Sequence, residues 1–264
     1  MKELLNIIIN FFETLFSSRE HDIVFPDKPI ITTIEKEPNI PTQQIKEEPM
    51  KKPVIVCIDN GHGKDTPGKR SPWSSHGVKP ELPFFEYQYC REIAKRLEQV
   101  LIEDGYDVYI VTPEENDVKL EVRGARINKV IEEASKVGKH VLSISLHNDA
   151  AGNGSQWYKA YGWSVWTTPG QTNSDVLATC LFNAADEVLS PLGKKIRKDM
   201  RDGDPDYENN WAICRIPKCP AVLTENMFQD CVEEVEFLLS EAGKDAIVKI
   251  HRRGIAKFVE KMGW

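Results

Sequence analysis

Apolar runs along the chain predict strands that alternate with helices. Residues 54–58, 141–146 and 220–224 are short, mostly apolar runs, which are typical of strands buried on both faces of a sheet. Residues 84–102 and 118–137 instead repeat apolar positions at the helical period. The alternation predicts an α/β fold: a single three-layer domain with a twisted, mostly parallel sheet, helices on both faces and room for antiparallel strands at the edge.

The same patterns predict further elements in the rest of the chain. The expected strands lie at 106–111, 162–166 and 211–216, and the expected helices at 173–189, 231–239 and 242–261. Residues 194–210 are rich in charge, which favours either a solvated loop or a segment at the rim of a cleft. Arg123 is expected to face solvent or to pair with acids.

Each of the three apolar runs leads to a residue that can bind a metal or move a proton. His62 lies between glycines just after the first run, His147 follows the second and Glu225 follows the third. The carboxyl ends of parallel strands meet at one edge of a sheet, where ligands bind. Taken singly, these residues also fit a surface histidine, a hydrogen-bonded core histidine and a helix-capping acid. Their coincidence predicts a zinc site with a position open for water, because two neutral imidazoles and a carboxylate suit zinc.

The ordered motifs resemble those of the zinc-dependent N-acetylmuramoyl-L-alanine amidases of the Amidase_3 family. They are Ile58-Asp59-Asn60-Gly61-His62-Gly63, Glu86 before a helix, Ser145-Leu146-His147-Asn148 and Pro220-Ala221-Val222-Leu223-Thr224-Glu225-Asn226. The resemblance covers residues 53–262. It implies that His62, Glu86 and His147 bind Zn²⁺ and that Glu225 is catalytic. Glu86 is assigned as a zinc ligand only through this resemblance, because an acid in the first turn of a helix ordinarily interacts with the helix dipole.

Two positions depart from the family pattern. The family usually has Gly two residues after its catalytic Glu, where this chain has Met227, and it commonly has Arg where this chain has Pro113. These departures leave the implied metal ligands intact and leave the details of substrate recognition open.

The resemblance also implies a function at the bacterial cell wall. The implied substrate is peptidoglycan, cleaved by zinc-activated water at the amide that joins the lactyl group of N-acetylmuramic acid to L-alanine. Glu225 would take the proton of the water and pass it to the leaving amine. Two alternatives stay open: another zinc amidohydrolase or peptidase on the same scaffold, and a non-catalytic cell-wall-binding module. The expected protein is a monomer in the periplasm or outside the cell, either a host enzyme or a phage or prophage lysin.

Composition narrows the classes of partner. The 264 residues carry a net charge of −7 with 41% hydrophobic residues, which supports a sizeable core and disfavours nucleic acid as a partner. The six cysteines include no C-x-x-C pair, so a cysteine zinc site is not expected. The spacing of Cys214, Cys219 and Cys231 leaves a disulfide among them open.

The first 52 residues predict segments outside the catalytic domain. Residues 1–16 are apolar and, as a helix, would span roughly 24 Å, short of the ~30 Å hydrocarbon core of a bilayer. They fit an atypical signal or anchor, a helix on a membrane surface, or a segment that docks elsewhere. Residues 17–52 predict a disordered, extended linker rich in Pro and charge, and residues 53–264 are expected to form the catalytic domain. Within that domain, Trp73 would stack on a sugar or cover the core, and His76 is an extra ligand or a surface residue.

Overall fold

The computed structural model describes residues 52–72 and 82–264. The predictions for residues 1–16 and for the linker up to residue 51 lie outside the described residues, as do those for Trp73 and His76. Within the described part of the chain, no helix combines the length and the apolar character needed to cross a membrane.

The described residues build a six-stranded sheet. Its strands in chain order are β1 (Val54–Asn60), β2 (Asp107–Ile110), β3 (His140–Asp149), β4 (Ser164–Thr167), β5 (Tyr207–Glu208) and β6 (Ala221–Phe228). Across the sheet the order is β2-β1-β3-β6-β4-β5. β1 pairs in parallel with β2 and β3, and β3 pairs in parallel with β6, whereas β4 runs antiparallel to β6. The predicted mostly parallel sheet with an antiparallel strand toward one edge is therefore confirmed.

Helices cover both faces of the sheet, as predicted. They are α1 (Glu86–Glu103), α2 (Leu120–Lys136), α3 (Asn173–Leu189), α4 (Ala212–Arg215), α5 (Val232–Leu239) and α6 (Glu241–Met262). Side chains alternate along a strand, so Val54, Val56 and Ile58 of β1 pack with α1, α3, α5 and α6. Ile55 and Cys57 pack on the other face with α2 and α4. These two cores make three layers.

Residues 211–216 form a helical turn, so the strand predicted there is wrong. The backbone N–H groups of Cys214 and Arg215 donate to the carbonyl of Trp211. The turn buries the consecutive residues Ile213 and Cys214, which a strand would send to opposite faces. The apolar residues that suggested a strand instead pack as a single helical turn against the sheet and α2.

Two alternatives left open by the sequence are resolved by the fold. Arg123 pairs with acids instead of facing solvent: its side chain is 2% exposed, and its guanidinium lies 3.0 Å from Asp59 and 2.6 Å from Asp117. All six cysteines are free thiols, so no disulfide links the three cysteines near the end of the chain.

Candidate metal and catalytic site

Sheet register brings three of the sequence-predicted residues to one edge. His147 of β3 lies directly opposite Glu225 of β6. The β1 ladder ends where Asn60 pairs with Leu146, and the next amide, that of Gly61, donates to the Leu146 carbonyl at 2.9 Å. His62 is therefore held beside the strand that carries His147.

The sequence pattern had suggested that the strands end at these residues, but they do not. β3 continues to Asp149 and β6 continues to Phe228. The pairing shifts register between His147 and Asp149, and Met227 has a positive φ of 67°. An irregularity of this kind re-aims side chains and is common beside active sites. The site thus lies at a distortion within the ladder.

Glycines on both sides of His62 are required by close packing. A Cβ on Gly61 would come within 2.4 Å of Cε1 of His147, so the imidazole of His147 lies directly over the Gly61 backbone. A Cβ on Gly63 would come within 1.9 Å of the backbone nitrogen of Asp117. His62 itself has a φ of 59°, a left-handed conformation that side chains rarely adopt. The surrounding loop and strand fix this turn and aim the ring of His62.

Glu86, the first residue of α1, lies between the two histidines. Its side chain is fully buried, and its Oε1 is 3.3 Å from Nε2 of His62 and 3.1 Å from Nδ1 of His147. Oε1 also accepts the backbone N–H of Asn148 at 3.0 Å, and Oε2 accepts the side-chain amide of Gln229 at 3.2 Å. Burial by itself would raise the pKa of Glu86, but hydrogen bonds and charge from the two histidines outweigh it and lower that pKa.

The donor atoms of His62, Glu86 and His147 fit a zinc ion. Each residue contributes one ligand atom, and these atoms lie within 4.8 Å of one another. Nε2 of His62 is buried, and Oε1 of Glu86 lies 3.3 Å from it, too poorly aligned for a regular hydrogen bond, so this nitrogen is available to a metal shared with that carboxylate. Burial is also the main cause that lowers the pKa of His62, which favours the neutral imidazole that binds metals. Two imidazole nitrogens and a carboxylate oxygen form a set typical of catalytic zinc.

Glu225 is the second carboxylate of the site, and its surroundings differ from those of Glu86. Its Oε2 is buried without a hydrogen-bond partner. Burial raises the pKa of Glu225 well above its usual value, and the negative charges of Glu86 and Asp149 add to the increase. A carboxylate with these surroundings holds a proton more readily than one in water, which suits a group that accepts and returns a proton.

The sequence pattern missed the residues that support the site. Arg197, from the charged segment 194–210, donates to Asp149 at 2.6 Å and to Ser164 at 2.8 Å, and its guanidinium lies 4.6 Å from the centre of the Phe228 ring. Ser164 lies opposite Glu225 in the antiparallel ladder. Of the two alternatives for this segment, a solvated loop and a segment at the rim of a cleft, these contacts favour the second. No local sequence signal distinguishes Arg197 from the neighbouring basic residues.

Asn226 links the second histidine to the core. Its side-chain amide donates to the carbonyl of His147 at 3.1 Å, and its Oδ1 accepts the indole N–H of the buried Trp163 at 2.9 Å. This network fixes the backbone of β3 where His147 projects.

Comparison with known families identifies an amidase family. The family model of N-acetylmuramoyl-L-alanine amidase, Amidase_3, matches residues 56–257. The endolysin of Bacillus phage SPP1 is 26% identical over 209 residues, which are 78% of this chain and 66% of the endolysin. This chain therefore matches just under two thirds of that relative's length.

Solved structures show the same fold. An N-acetylmuramoyl-L-alanine amidase from Clostridium difficile 630 aligns with a TM-score of 0.57 at 20% identity, covering 78% of this chain and 97% of that protein. The amidase AmiC2 of Nostoc punctiforme aligns with a TM-score of 0.60 at 19% identity, covering 80% of this chain and 99% of that protein. At these identities the likeness bears on the fold alone.

Proposed function

Because this chain belongs to the Amidase_3 family of N-acetylmuramoyl-L-alanine amidases, we propose that it hydrolyses peptidoglycan with one zinc ion. The scissile bond is the amide between the lactyl group of N-acetylmuramic acid and L-alanine. His62, Glu86 and His147 hold the zinc, and Glu225 is the general base.

One observation carries the proposal. A single oxygen of the buried Glu86 carboxylate lies 3.3 Å and 3.1 Å from ring nitrogens of His62 and His147. A second carboxylate, that of Glu225, lies opposite His147 in the ladder with an unpartnered buried oxygen. A binding module needs no such base beside a metal site, so this arrangement supports an enzyme over a non-catalytic cell-wall-binding module.

The chain's own groups perform the proton transfers. When bound, zinc lowers the pKa of water and polarises a carbonyl. Glu225 accepts the proton of the attacking water at its free oxygen and delivers it to the nitrogen of the departing L-alanine. Asn148 and Gln229 hold the Glu86 carboxylate in place through their hydrogen bonds, which fixes a ligand as outer partners do in metal sites.

The location follows from the substrate. Peptidoglycan places the enzyme at the bacterial cell wall, and the match to a phage endolysin is consistent with either a lysin or a host enzyme. We expect a monomer. Residues 1–16 would contact a membrane surface; their removal would then abolish co-sedimentation of the full chain with liposomes. If binding to liposomes is unchanged by the deletion, the segment has another role.

The decisive experiment measures zinc content and turnover on the same protein samples. Glu225→Gln keeps the shape of the side chain but cannot accept a proton, so we expect near-normal zinc and a rate lower by about 10²-fold or more. Glu86→Gln weakens a ligand, so zinc should be lost together with activity. Glu98→Gln, a half-buried site on the same helix as Glu86, removes an equal charge and should change neither quantity.

Three outcomes would contradict parts of the proposal. Zinc lost from Glu225→Gln but kept in Glu86→Gln would mean that the two carboxylates have exchanged roles. Full activity in Glu225→Gln would show that Glu225 is not the general base. Mass spectrometry of digested muropeptides tests the bond: cleavage within the stem peptide, with the lactyl amide intact, would favour another zinc peptidase on this scaffold.

A further inference from the structure

A second group of acidic side chains lies outside the candidate zinc site. Asp175, Asp204 and Asp206 bring one carboxylate oxygen each within 4.8 Å of one another. Asp175 is in the first turn of α3, and the other two belong to the charged segment 194–210, directly before β5. The group therefore joins parts of the chain that are about 30 residues apart.

Two oxygens of this group are buried without a partner. Asp206 is 1% exposed and Asp175 is 3% exposed. The hydroxyl of Thr167 donates to Oδ2 of Asp206, but Oδ1 of Asp206 and Oδ1 of Asp204 have no hydrogen-bond partner. Among the ion pairs of residues 52–72 and 82–264, none includes a carboxylate of this group.

Buried carboxylates without a counter-charge are costly, so something must neutralise them. Burial, together with the neighbouring Asp204, raises the pKa of Asp206 to about 8. A proton on Asp206, donated to Asp204, would remove one negative charge and give both residues a hydrogen bond, but it would leave two negative charges in the group. A divalent cation would balance more of the charge and would bind an oxygen of all three residues at once.

We propose that Asp175, Asp204 and Asp206 bind a calcium ion. The group offers only oxygen ligands, which are typical of calcium and magnesium and atypical of zinc. Calcium binds oxygens at about 2.3–2.6 Å in flexible geometry, so oxygens on opposite sides of the ion lie up to roughly 5 Å apart. The observed separations fall within that limit. Magnesium retains most of its water shell, which a site built from buried carboxylates does not accommodate.

The ion would fasten the charged segment to the rest of the domain. Asp204 also accepts the side-chain amide of Gln171 at 2.8 Å, so this segment already approaches the start of α3. The same segment carries Arg197, which donates to Asp149 and Ser164 beside the candidate catalytic carboxylate. Calcium would therefore order the rim of the cleft while lying outside the catalytic centre.

The first test measures cation binding on the full chain. Metal-free protein is reloaded with zinc and titrated with Tb³⁺, whose luminescence would be excited through Trp166 and Tyr207, the neighbours of Thr167 and Asp206. We expect saturable luminescence that Ca²⁺ displaces. We also expect 10 mM Ca²⁺ to raise the Tm by about 3 °C or more, assuming a submillimolar to millimolar Kd.

Matched variants separate the site from general charge effects. Asp206→Asn should abolish both responses, and Asp204→Asn provides the same test at a less buried position. Asp199→Asn lies in the same segment but pairs with Arg201, so it should keep both responses. Limited trypsin digestion gives an independent measurement, because the segment has several basic cleavage sites: Ca²⁺ should slow cleavage there in wild type and Asp199→Asn only.

Specific results would overturn the proposal. If Ca²⁺ changes neither the Tm nor the trypsin pattern, and Asp206→Asn is at least as stable as wild type, then a proton neutralises the group. An equal Tm shift with Mg²⁺ would refute the choice of calcium. Tb³⁺ luminescence that persists in both Asp206→Asn and Asp204→Asn would place the bound cation elsewhere.

Discussion

Among residues 52–72 and 82–264, two clusters of three possible metal ligands surround a buried carboxylate in contrasting ways. Around Glu86, two imidazoles, a backbone N–H and a side-chain amide surround one carboxylate, and the two imidazoles outweigh burial and lower its pKa. Around Asp206, burial and the neighbouring carboxylates raise the pKa to about 8, although the hydrogen bond from the Thr167 hydroxyl lowers it. The first cluster presents mixed nitrogen and oxygen donors with one formal negative charge, whereas the second presents oxygens only. The donor set, more than the number of ligands, therefore distinguishes a zinc-type site from a calcium-type site.

The largest expected effect comes from removing a nitrogen ligand. His62→Ala or His147→Ala should weaken zinc binding by about 10³-fold or more, since even outer partners of metal ligands cost 10–100-fold. Elemental analysis of purified protein measures this. The same variants should keep the Ca²⁺-dependent rise in Tm, because the aspartate cluster shares no residue with the zinc site. Full zinc occupancy in either variant would refute the ligand assignment.

His251, which is fully buried, extends the comparison to a histidine outside both clusters and predicts a pH dependence of stability. Both nitrogens of His251 have partners: Nδ1 is 2.8 Å from the Ile247 carbonyl and Nε2 is 3.0 Å from the Thr224 hydroxyl. Burial lowers the pKa of His251 to about 4. The unfolded chain therefore binds more protons than the folded one between about pH 6.5 and 4, and stability is lost as the pH falls through that window.

The expected loss is up to about 3 kcal/mol in the free energy of unfolding. Denaturant unfolding of wild type and His251→Gln at several pH values isolates this contribution, because the other titrating groups are common to both proteins. Parallel pH dependence in the two proteins would show that His251 does not carry it.

The next largest effect on zinc affinity is expected from a substitution of Gly61. Gly61→Ala places a methyl group 2.4 Å from the His147 ring, so the ring must move and zinc affinity should fall by about 10–100-fold, as when an orienting partner is lost. Gly138→Ala is the control: its φ is 67° and an added Cβ meets no atom within 4 Å. It should cost about 1 kcal/mol of stability and leave zinc affinity unchanged. Equal zinc affinity in Gly61→Ala and wild type would show that the ring tolerates displacement.

The smallest effect concerns the support of Glu86. Gln229→Met removes the amide that donates to Oε2 of Glu86 at 3.2 Å, so zinc affinity should fall by about 10-fold. Oε1 of Gln229 is itself buried without a partner, so the folded state should lose little stability. A competition assay with a zinc chelator measures the first quantity and thermal unfolding the second. A large drop in Tm with unchanged zinc affinity would make Gln229 a structural residue instead.

The contrast between the sheet's centre and its edge explains where sequence-based prediction worked. The sequence predicts the central strands β1, β3 and β6 because each is a run of apolar residues buried on both faces. Once those strands are parallel neighbours, His62, His147 and Glu225 must approach one another. The turn at residues 211–216 could not be predicted because it depends on packing against α2. The burial of Arg123, a residue of α2, could not be predicted because it depends on ion pairs with Asp59 and Asp117.

The sequence by itself therefore determined the alternation of strands and helices, the sheet type and the identity of the residues at the edge that carries the candidate catalytic site. It pointed to Glu86 only through likeness to a family. Only the tertiary structure places Glu86 between two histidines, the ring of His147 over the backbone of Gly61, and Asp175 beside Asp206. These contacts join residues far apart in the chain, so they depend on register and helix packing, which local hydrophobic periodicity does not encode.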